Sequence, residues 1–140
     1  MYDEVLTKLI PTKNAREAFE GEFIYREGKV SIVVDADGED IDVTRWLARK
    51  FLLNLAEYDA KARATAAEKM LKTYNETWRQ EDEPLLTKAQ FTERLTLVHV
   101  SFLGVESVDF MYADDGMFGG HSLIPQSFDG ETFTYVQMYG

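Results

Sequence analysis

The order of hydrophobic periodicities along the chain is the feature that most restricts its fold. Apolar residues alternate with polar ones between residues 22 and 43, recur every three or four positions between 43 and about 79, and alternate again from Thr96 onward. Period two is typical of half-buried strands, and the longer period is typical of amphipathic helices. This order predicts an α+β fold, in which an antiparallel β-sheet (an N-terminal hairpin plus a C-terminal meander) packs against a central helical segment.

Length and charge narrow the class of protein further. A chain of 140 residues predicts one domain over residues 1–140, and the lack of cysteine excludes disulfides and thiolate metal sites. With neither a signal peptide nor an apolar run of ~20 residues, we expect a cytoplasmic protein. The formal charge of −10 predicts no binding to nucleic acid or to membranes, and favours a basic protein as partner.

Local patterns predict where the elements of the N-terminal half begin and end. Residues 1 to about 20 read as a short helix that Pro11 limits, followed by a connector. Glu27-Gly28 is expected to turn the hairpin, and Thr44 or Asp42 to cap the first long helix.

The helical segment is expected to bury one apolar stripe. Trp46, Leu47, Phe51 and Leu55 recur at helical spacing, which indicates a face turned to the core. The pattern leaves open whether residues 43–79 form one helix, kinked near Glu57-Tyr-Asp59, or two.

The C-terminal half begins with a capped helix and continues as strands. Thr87-Lys-Ala-Gln90 fits a capping box. His99 is expected to be a partly exposed residue of the next strand, at alternate spacing to Leu97. Pro125 predicts an edge position or a strand end, because proline cannot donate to a ladder. An edge strand near Pro125, or a last strand ending at Gly140, could pair across a dimer.

Three segments resemble a bacterial domain family of unknown function. They are Tyr74–Trp78, with an Asn-x-x-Trp helix end; Leu86–Leu97, with a Thr-x-x-x-Phe helix; and Val108–Ile124, with Asp-Asp-Gly, Phe and Gly-His in succession. The resemblance covers residues from about 70 to 140, and Gly119 departs from it where members often carry a large aromatic residue. It implies a fold and a bacterial source but no activity. Similar small acidic domains act as immunity proteins or toxin partners, which is an analogy. The motif residues are Trp78, Phe91, Asp114, Asp115, Gly116, Phe118, Gly120 and His121.

The run from Asp114 to His121 has three interpretations. Asp-Gly is a strong hairpin signal, so Asp114 and Asp115 could be solvated turn residues. Both carboxylates and the His121 imidazole could instead bind zinc or manganese, or one carboxylate could orient His121 as a general base. A metal site would need a further ligand, from Glu76, Asp82 or His99. In the third interpretation His121 is structural, bonded to a backbone carbonyl or to the Asn75 side chain.

Two functions follow from these patterns. The first is a non-enzymatic, acidic binding protein, immunity-like by analogy, with Tyr112, Phe118 and Tyr135 as exposed anchors. The alternative is a small metal-dependent hydrolase that uses His121 with Asp114 or Asp115. No phosphate-binding or dinucleotide-binding glycine motif is present, and no cofactor is predicted.

Overall fold

In the part of the chain that the structure describes, seven strands form a single β-sheet, and their spatial order is their order along the chain. The computed structural model describes residues 2–13 and 17–140. Adjacent strands are antiparallel, except that β3 and β4 run parallel. The strands are β1 (Ile10–Pro11), β2 (Ala18–Tyr25), β3 (Gly28–Asp35), β4 (Thr96–Leu103), β5 (Ser107–Ala113), β6 (Ser122–Ser127) and β7 (Tyr135–Tyr139).

The α-helices of the described residues, with the π-helical turn that extends one of them, lie in the connection between β3 and β4. They are α1 (Ile41–Leu53), α2 (Leu55–Thr73), a π-helical turn (Tyr74–Trp78) that extends α2, and α3 (Lys88–Glu93). Because parallel strands need a long crossover, this segment allows β3 and β4 to pair and so joins the hairpin to the meander. The predicted α+β class is therefore confirmed, with helices packed against an antiparallel sheet that holds one parallel pair.

The hydrophobic core lies between the helices and one face of the sheet. Burial alternates along β3 and β5, and the fully buried side chains include Val30, Ile32 and Phe110 on strands and Phe51 on α1. The opposite face of the sheet carries polar and partly exposed residues, among them Ser31 and His99. One side of the sheet is therefore left uncovered by the described residues.

The helix boundaries correct the predicted cap of α1 and settle whether the central segment is one helix or two. Asp40 caps α1, with its side chain accepting from the Asp42 N–H, whereas Thr44 is buried and its hydroxyl donates to the Gly104 carbonyl. The central segment is two helices, and the break lies at Asn54 (φ −124°, ψ 36°) instead of near Glu57 to Asp59.

Two N-terminal predictions are also corrected, while the capping box is confirmed. A 3₁₀ helix covers Tyr2–Lys8, and Pro11 belongs to β1 instead of ending the helix. The hairpin turns at Arg26 and Glu27, both with positive φ, one residue before the predicted position. Thr87 and Gln90 exchange both bonds of the predicted capping box at the start of α3.

Pro125 lies inside β6, between two strands, so the prediction of an edge or strand end was wrong. It pairs with Val136 of β7. On its other side, β6 pairs with β5 at Gln126 (opposite Asp109) and at Leu123 (opposite Tyr112), but Pro125 has no partner in this ladder. Since proline has no N–H, the ladder with β5 is interrupted at this residue and the strand is kept.

Candidate functional site

Asp114 organises the loop that joins β5 to β6. Its side chain is buried and accepts three backbone N–H groups, from Gly116 (3.0 Å), Phe118 (2.8 Å) and Gly120 (3.1 Å). Both carboxylate oxygens are used in this way. The residue therefore fixes the loop from inside, and it supplies the buried Phe118 N–H with an acceptor.

Asp115 points to solvent and forms an ion pair. Its carboxylate accepts from Arg94 Nε at 2.9 Å, and Arg94 also donates to the Asp115 carbonyl at 3.0 Å. Asp115 and Gly116 both have positive φ, as an Asp-Gly turn requires, but the loop spans residues 114–121 and is longer than a two-residue hairpin turn. The two adjacent aspartates thus face different surroundings.

Phe118 anchors this loop in the core. The ring is fully buried, and its centroid lies 5.8 Å from that of Tyr74, 5.6 Å from that of Trp78 and 6.2 Å from that of Phe91. The π-helical turn brings Tyr74 and Trp78 to this position at the end of α2. The three segments quoted for the family resemblance therefore meet around one aromatic ring.

His121 is held beside this aromatic cluster. Nδ1 lies 2.5 Å from the Phe118 carbonyl oxygen, and because a carbonyl only accepts, Nδ1 carries the hydrogen. The imidazole centroid is 5.9 Å from that of Trp78. Asn75 is engaged elsewhere, exchanging two bonds with the backbone of Leu86. This is the carbonyl contact that the structural interpretation of His121 requires.

The metal and general-base interpretations find few of the contacts that they need. Within residues 2–13 and 17–140, no three His, Asp or Glu side chains are placed to hold a metal ion. Nor does any hydrogen bond in that part of the chain join His121 to Asp114 or Asp115, which are engaged with backbone N–H groups and with Arg94. His99 lies on β4 and bonds Ser31, away from this loop. The hydrolase stays a prediction.

A buried polar cluster was missed by sequence reasoning. Asp59 of α2 is 2% exposed and accepts from Tyr25 Oη (2.7 Å), Tyr112 Oη (2.5 Å) and Arg63 Nε (2.9 Å). Burial, followed by the hydrogen bond to the Asp59 carboxylate, raises the pKa of Tyr25 far above its ordinary value. Burial also raises the pKa of Tyr112, so both phenols stay protonated donors. Arg63 donates to the carbonyls of Thr92 in α3 and of Leu95 just after it, so the cluster ties the helices to the sheet.

A second polar group lies on the uncovered face of the sheet. His99 Nδ1 is 2.6 Å from Ser31 Oγ on β3, and Asp109 on β5 accepts from Gln126. Burial lowers the pKa of His99, which the charge of Asp109 partly offsets, and burial raises the pKa of Asp109. Because of the register shift between Leu97 and His99, Leu97 lies in the core while His99 lies on the opposite face of the sheet. The alternate spacing predicted that these two residues share a face, and that prediction was wrong.

An exposed apolar groove lies beside the start of α1, and we call it the Trp46 groove. Its lining consists of Val43, Trp46, Leu47, Lys50, Val105, Glu106, Asp129 and Gly130. Trp46 is 69% exposed, Val105 48% and Val43 41%, and Trp46 is the most exposed large apolar side chain among the described residues. Trp46 was expected in the buried stripe, but Leu47, Phe51 and Leu55 fill that stripe and Trp46 faces outward.

Carboxylates surround the Trp46 groove. Asp129 accepts from the backbone and the hydroxyl of Thr132 and from the Glu131 N–H, and these bonds hold its pKa well below the usual range. Glu106 is exposed on the neighbouring turn. The rim is therefore anionic at neutral pH.

The cations near the Trp46 groove are already engaged. Lys50 bonds the Glu131 carboxylate and donates to the Gly130 carbonyl at 2.8 Å, and Arg49 lies over the Trp46 ring, 5.9 Å from its centroid. Arg49 keeps its charge in this contact, so three carboxylates (Glu106, Asp129 and Glu131) outnumber the two cations by one.

Of the three aromatic anchors predicted from the sequence, two are wrong. Tyr112 and Phe118 are fully buried. The Tyr112 hydroxyl bonds Asp59, and the Phe118 ring packs in the aromatic cluster. Tyr135 is 55% exposed. The exposed Trp46 was missed because Trp at a helical spacing next to Leu is more often core than surface. One clue was available, since Lys50 four residues later lies on the same helix face.

The comparisons with known proteins give a family and no activity. None of the helices in the described ranges is both long and apolar enough to cross a bilayer. No curated protein and no solved structure matches the chain significantly. A family model described as an uncharacterized protein conserved in bacteria (DUF2262) matches residues 3–134. The chain therefore belongs to this bacterial family of unknown function.

Proposed function

We propose that this chain is a non-enzymatic binding protein that takes a basic protein partner at the Trp46 groove. The observation that carries the proposal is an exposed tryptophan set among carboxylates. Trp46 exposes 69% of its surface beside Val43 and Val105. Tryptophans that become buried on binding contribute disproportionately to the affinity of protein interfaces, and an exposed apolar patch rimmed by polar residues is typical of an interaction site.

The charge of the rim determines the kind of partner. Glu106 and Asp129 line the groove beside the apolar residues, and Lys50 is paired with Glu131. A partner segment that combines lysine or arginine with an apolar side chain would place its cations on the rim and its apolar group on Trp46. Such charge complementarity speeds association and rejects acidic partners. An immunity-like role, in which this surface covers a basic toxin, is one form of the proposal.

The catalytic alternative is not adopted as a second candidate. It would need His121 and the neighbouring aspartates to act on one ligand. In the described residues these side chains bond the Phe118 carbonyl, the loop backbone and Arg94. No observation at this loop favours a reaction.

Affinity capture from the source bacterium with matched variants tests the proposal. Trp46→Ser removes the anchor, Glu106→Gln removes a rim charge, and Leu85→Ser is the control because Leu85 is 64% exposed outside the groove. We expect a basic protein that the wild type and Leu85→Ser retain. Trp46→Ser should bind it about 30-fold more weakly, as the loss of ~2 kcal/mol at an interface tryptophan implies.

The salt dependence supplies a second measurement on the same complex. Binding should weaken between low and physiological ionic strength in the wild type, and less steeply in the Glu106→Gln variant, since one charge fewer is then screened. Equal retention of every captured protein by wild type and Trp46→Ser would refute the proposal.

A further inference from the structure

β7 closes one side of the sheet and offers an unprotected edge. It is the last strand in the sheet order, and no residue of the described chain hydrogen-bonds the backbone of its outer side. Natural edge strands are usually blunted by charge, proline or a bulge, because a bare edge pairs with other strands. Tyr135–Tyr139 contains neither charge nor proline, and residues 132–140 carry no charged side chain.

Pro125 identifies which backbone groups of β7 face outward. In an antiparallel pair, facing residues alternate between hydrogen-bonded and non-hydrogen-bonded positions. Pro125 faces Val136, and the ladder with β5 is interrupted at Pro125, so the missing N–H is on the β5 side and the Pro125–Val136 pair is not hydrogen-bonded. The N–H and C=O groups of Val136, and of Met138 two residues on, therefore point to the free edge.

The sequence of the edge is complementary to itself about Gln137. If a second copy runs antiparallel with Gln137 opposite its counterpart, Tyr135 faces Tyr139 and Val136 faces Met138. The two tyrosines are exposed (55% and 61%), whereas Val136 and Met138 are partly buried against the core. Exposed tyrosines would therefore face tyrosines, and partly buried apolar side chains would face apolar side chains. Aromatic cross-strand pairs stabilise sheets.

We propose that two copies of this chain pair through antiparallel β7 strands, on a two-fold axis that passes through Gln137. Four backbone hydrogen bonds, made by Val136 and Met138 of both copies, join the two sheets into one. The two-fold axis makes the contact isologous, so it closes as a dimer and does not propagate.

Cysteine scanning tests both the dimer and its register. The chain has no cysteine, so one introduced thiol reports alone. Non-hydrogen-bonded pairs place Cα atoms ~4.5 Å apart, which is within disulfide range. We expect Gln137→Cys to form a covalent dimer under mild oxidation. Tyr135→Cys and Tyr139→Cys should each stay uncoupled alone and cross-link when mixed, which makes them register controls in the same strand.

Charge substitution at the axis gives an independent readout. Gln137 is exposed, so Gln137→Lys and Gln137→Glu should fold, which thermal unfolding verifies. Sedimentation equilibrium should show a wild-type dimer, monomers for each variant alone because like charges then face each other, and a restored dimer for the mixture. A wild type that stays monomeric up to its highest soluble concentration overturns the proposal, and β7 would then be available to a strand of another protein. Cross-linking of Tyr135→Cys alone overturns the register.

Discussion

Replacing each of the two adjacent aspartates by asparagine separates the architectural interpretation of the β5–β6 loop from the metal interpretation. Both substitutions remove one negative charge from neighbouring positions, so their electrostatic effect on the whole protein is matched. In the structure, Asp114 is buried with three backbone donors, whereas the Asp115 side chain is 63% exposed and holds only Arg94.

The expected magnitudes follow from these contacts. The asparagine introduced by Asp114→Asn keeps one acceptor oxygen but turns an amide group toward an N–H that previously had a carboxylate oxygen. A hydrogen bond to a charged group contributes about 1.5–3 kcal/mol, so Asp114→Asn should lower the free energy of unfolding by about 2 kcal/mol. Asp115→Asn loses an exposed ion pair, which is worth about 0.5 kcal/mol, and asparagine tolerates the positive φ of this position.

Urea unfolding followed by tryptophan fluorescence measures this difference, since Trp78 lies against Phe118 of the same loop. With a slope of about 2 kcal/mol per molar urea for a chain of this size, the midpoint should fall by about 1 M for Asp114→Asn and by under about 0.3 M for Asp115→Asn.

Equal losses of stability in the two variants, or an Asp114→Asn variant that unfolds like the wild type, would contradict the architectural role of Asp114. Zinc and manganese content, measured on protein purified without chelator, completes the test. In the metal interpretation both variants lose the ion together, and their unfolding midpoints fall together.

Three further predictions concern other parts of the fold. Tyr112→Phe removes a donor from the buried Asp59 carboxylate and should cost about 1–2 kcal/mol in urea unfolding, while Tyr135→Phe, at an exposed position, should leave the midpoint unchanged. Thr87→Ala breaks the capping box of α3 and should cost about 1 kcal/mol, against no measurable loss for the exposed Thr77→Ala. NMR titration should find that the pKa of His99 lies below its ordinary value of 6.5 and falls further in Asp109→Asn, because the Asp109 charge is what raises it. Since the unfolded chain then binds a proton more readily than the folded one, stability should decline as pH drops below 6.5, less so in His99→Gln, and an unchanged slope would contradict this.

The fold class could be read from the sequence because strand and helix periods differ and each runs over several turns or alternations. Local chemistry also carried reliable information where all partners are close in sequence, as in the Thr87–Gln90 capping box. The positions of Asn54 and Pro125 could not be predicted in the same way. The break at Asn54 and the position of Pro125 between two strands depend on contacts with residues distant in sequence. Those contacts form only when the helices and strands pack together.

The candidate sites were harder to predict, for the same reason. Asp59 meets Tyr25 and Tyr112 across 34 and 53 residues of sequence, and no spacing rule connects them. The motif around Asp114 and His121 was visible, but its chemistry depended on which groups the carboxylate accepts from. Those groups are backbone N–H donors of its own loop, which a list of side chains does not reveal.

The two proposed contacts differ in the charges that surround them. This difference predicts that added salt changes their affinities in opposite directions. The Trp46 groove is ringed by carboxylates, so a second copy of an acidic chain is repelled there and a basic partner is attracted. The β7 edge has no charged side chain within residues 132–140, so the electrostatic repulsion between two copies comes from their overall charge of −10. Added salt screens both interactions. It should therefore weaken the complex at Trp46 while strengthening the β7 dimer. The direction in which salt changes an observed association therefore identifies which of the two contacts forms it.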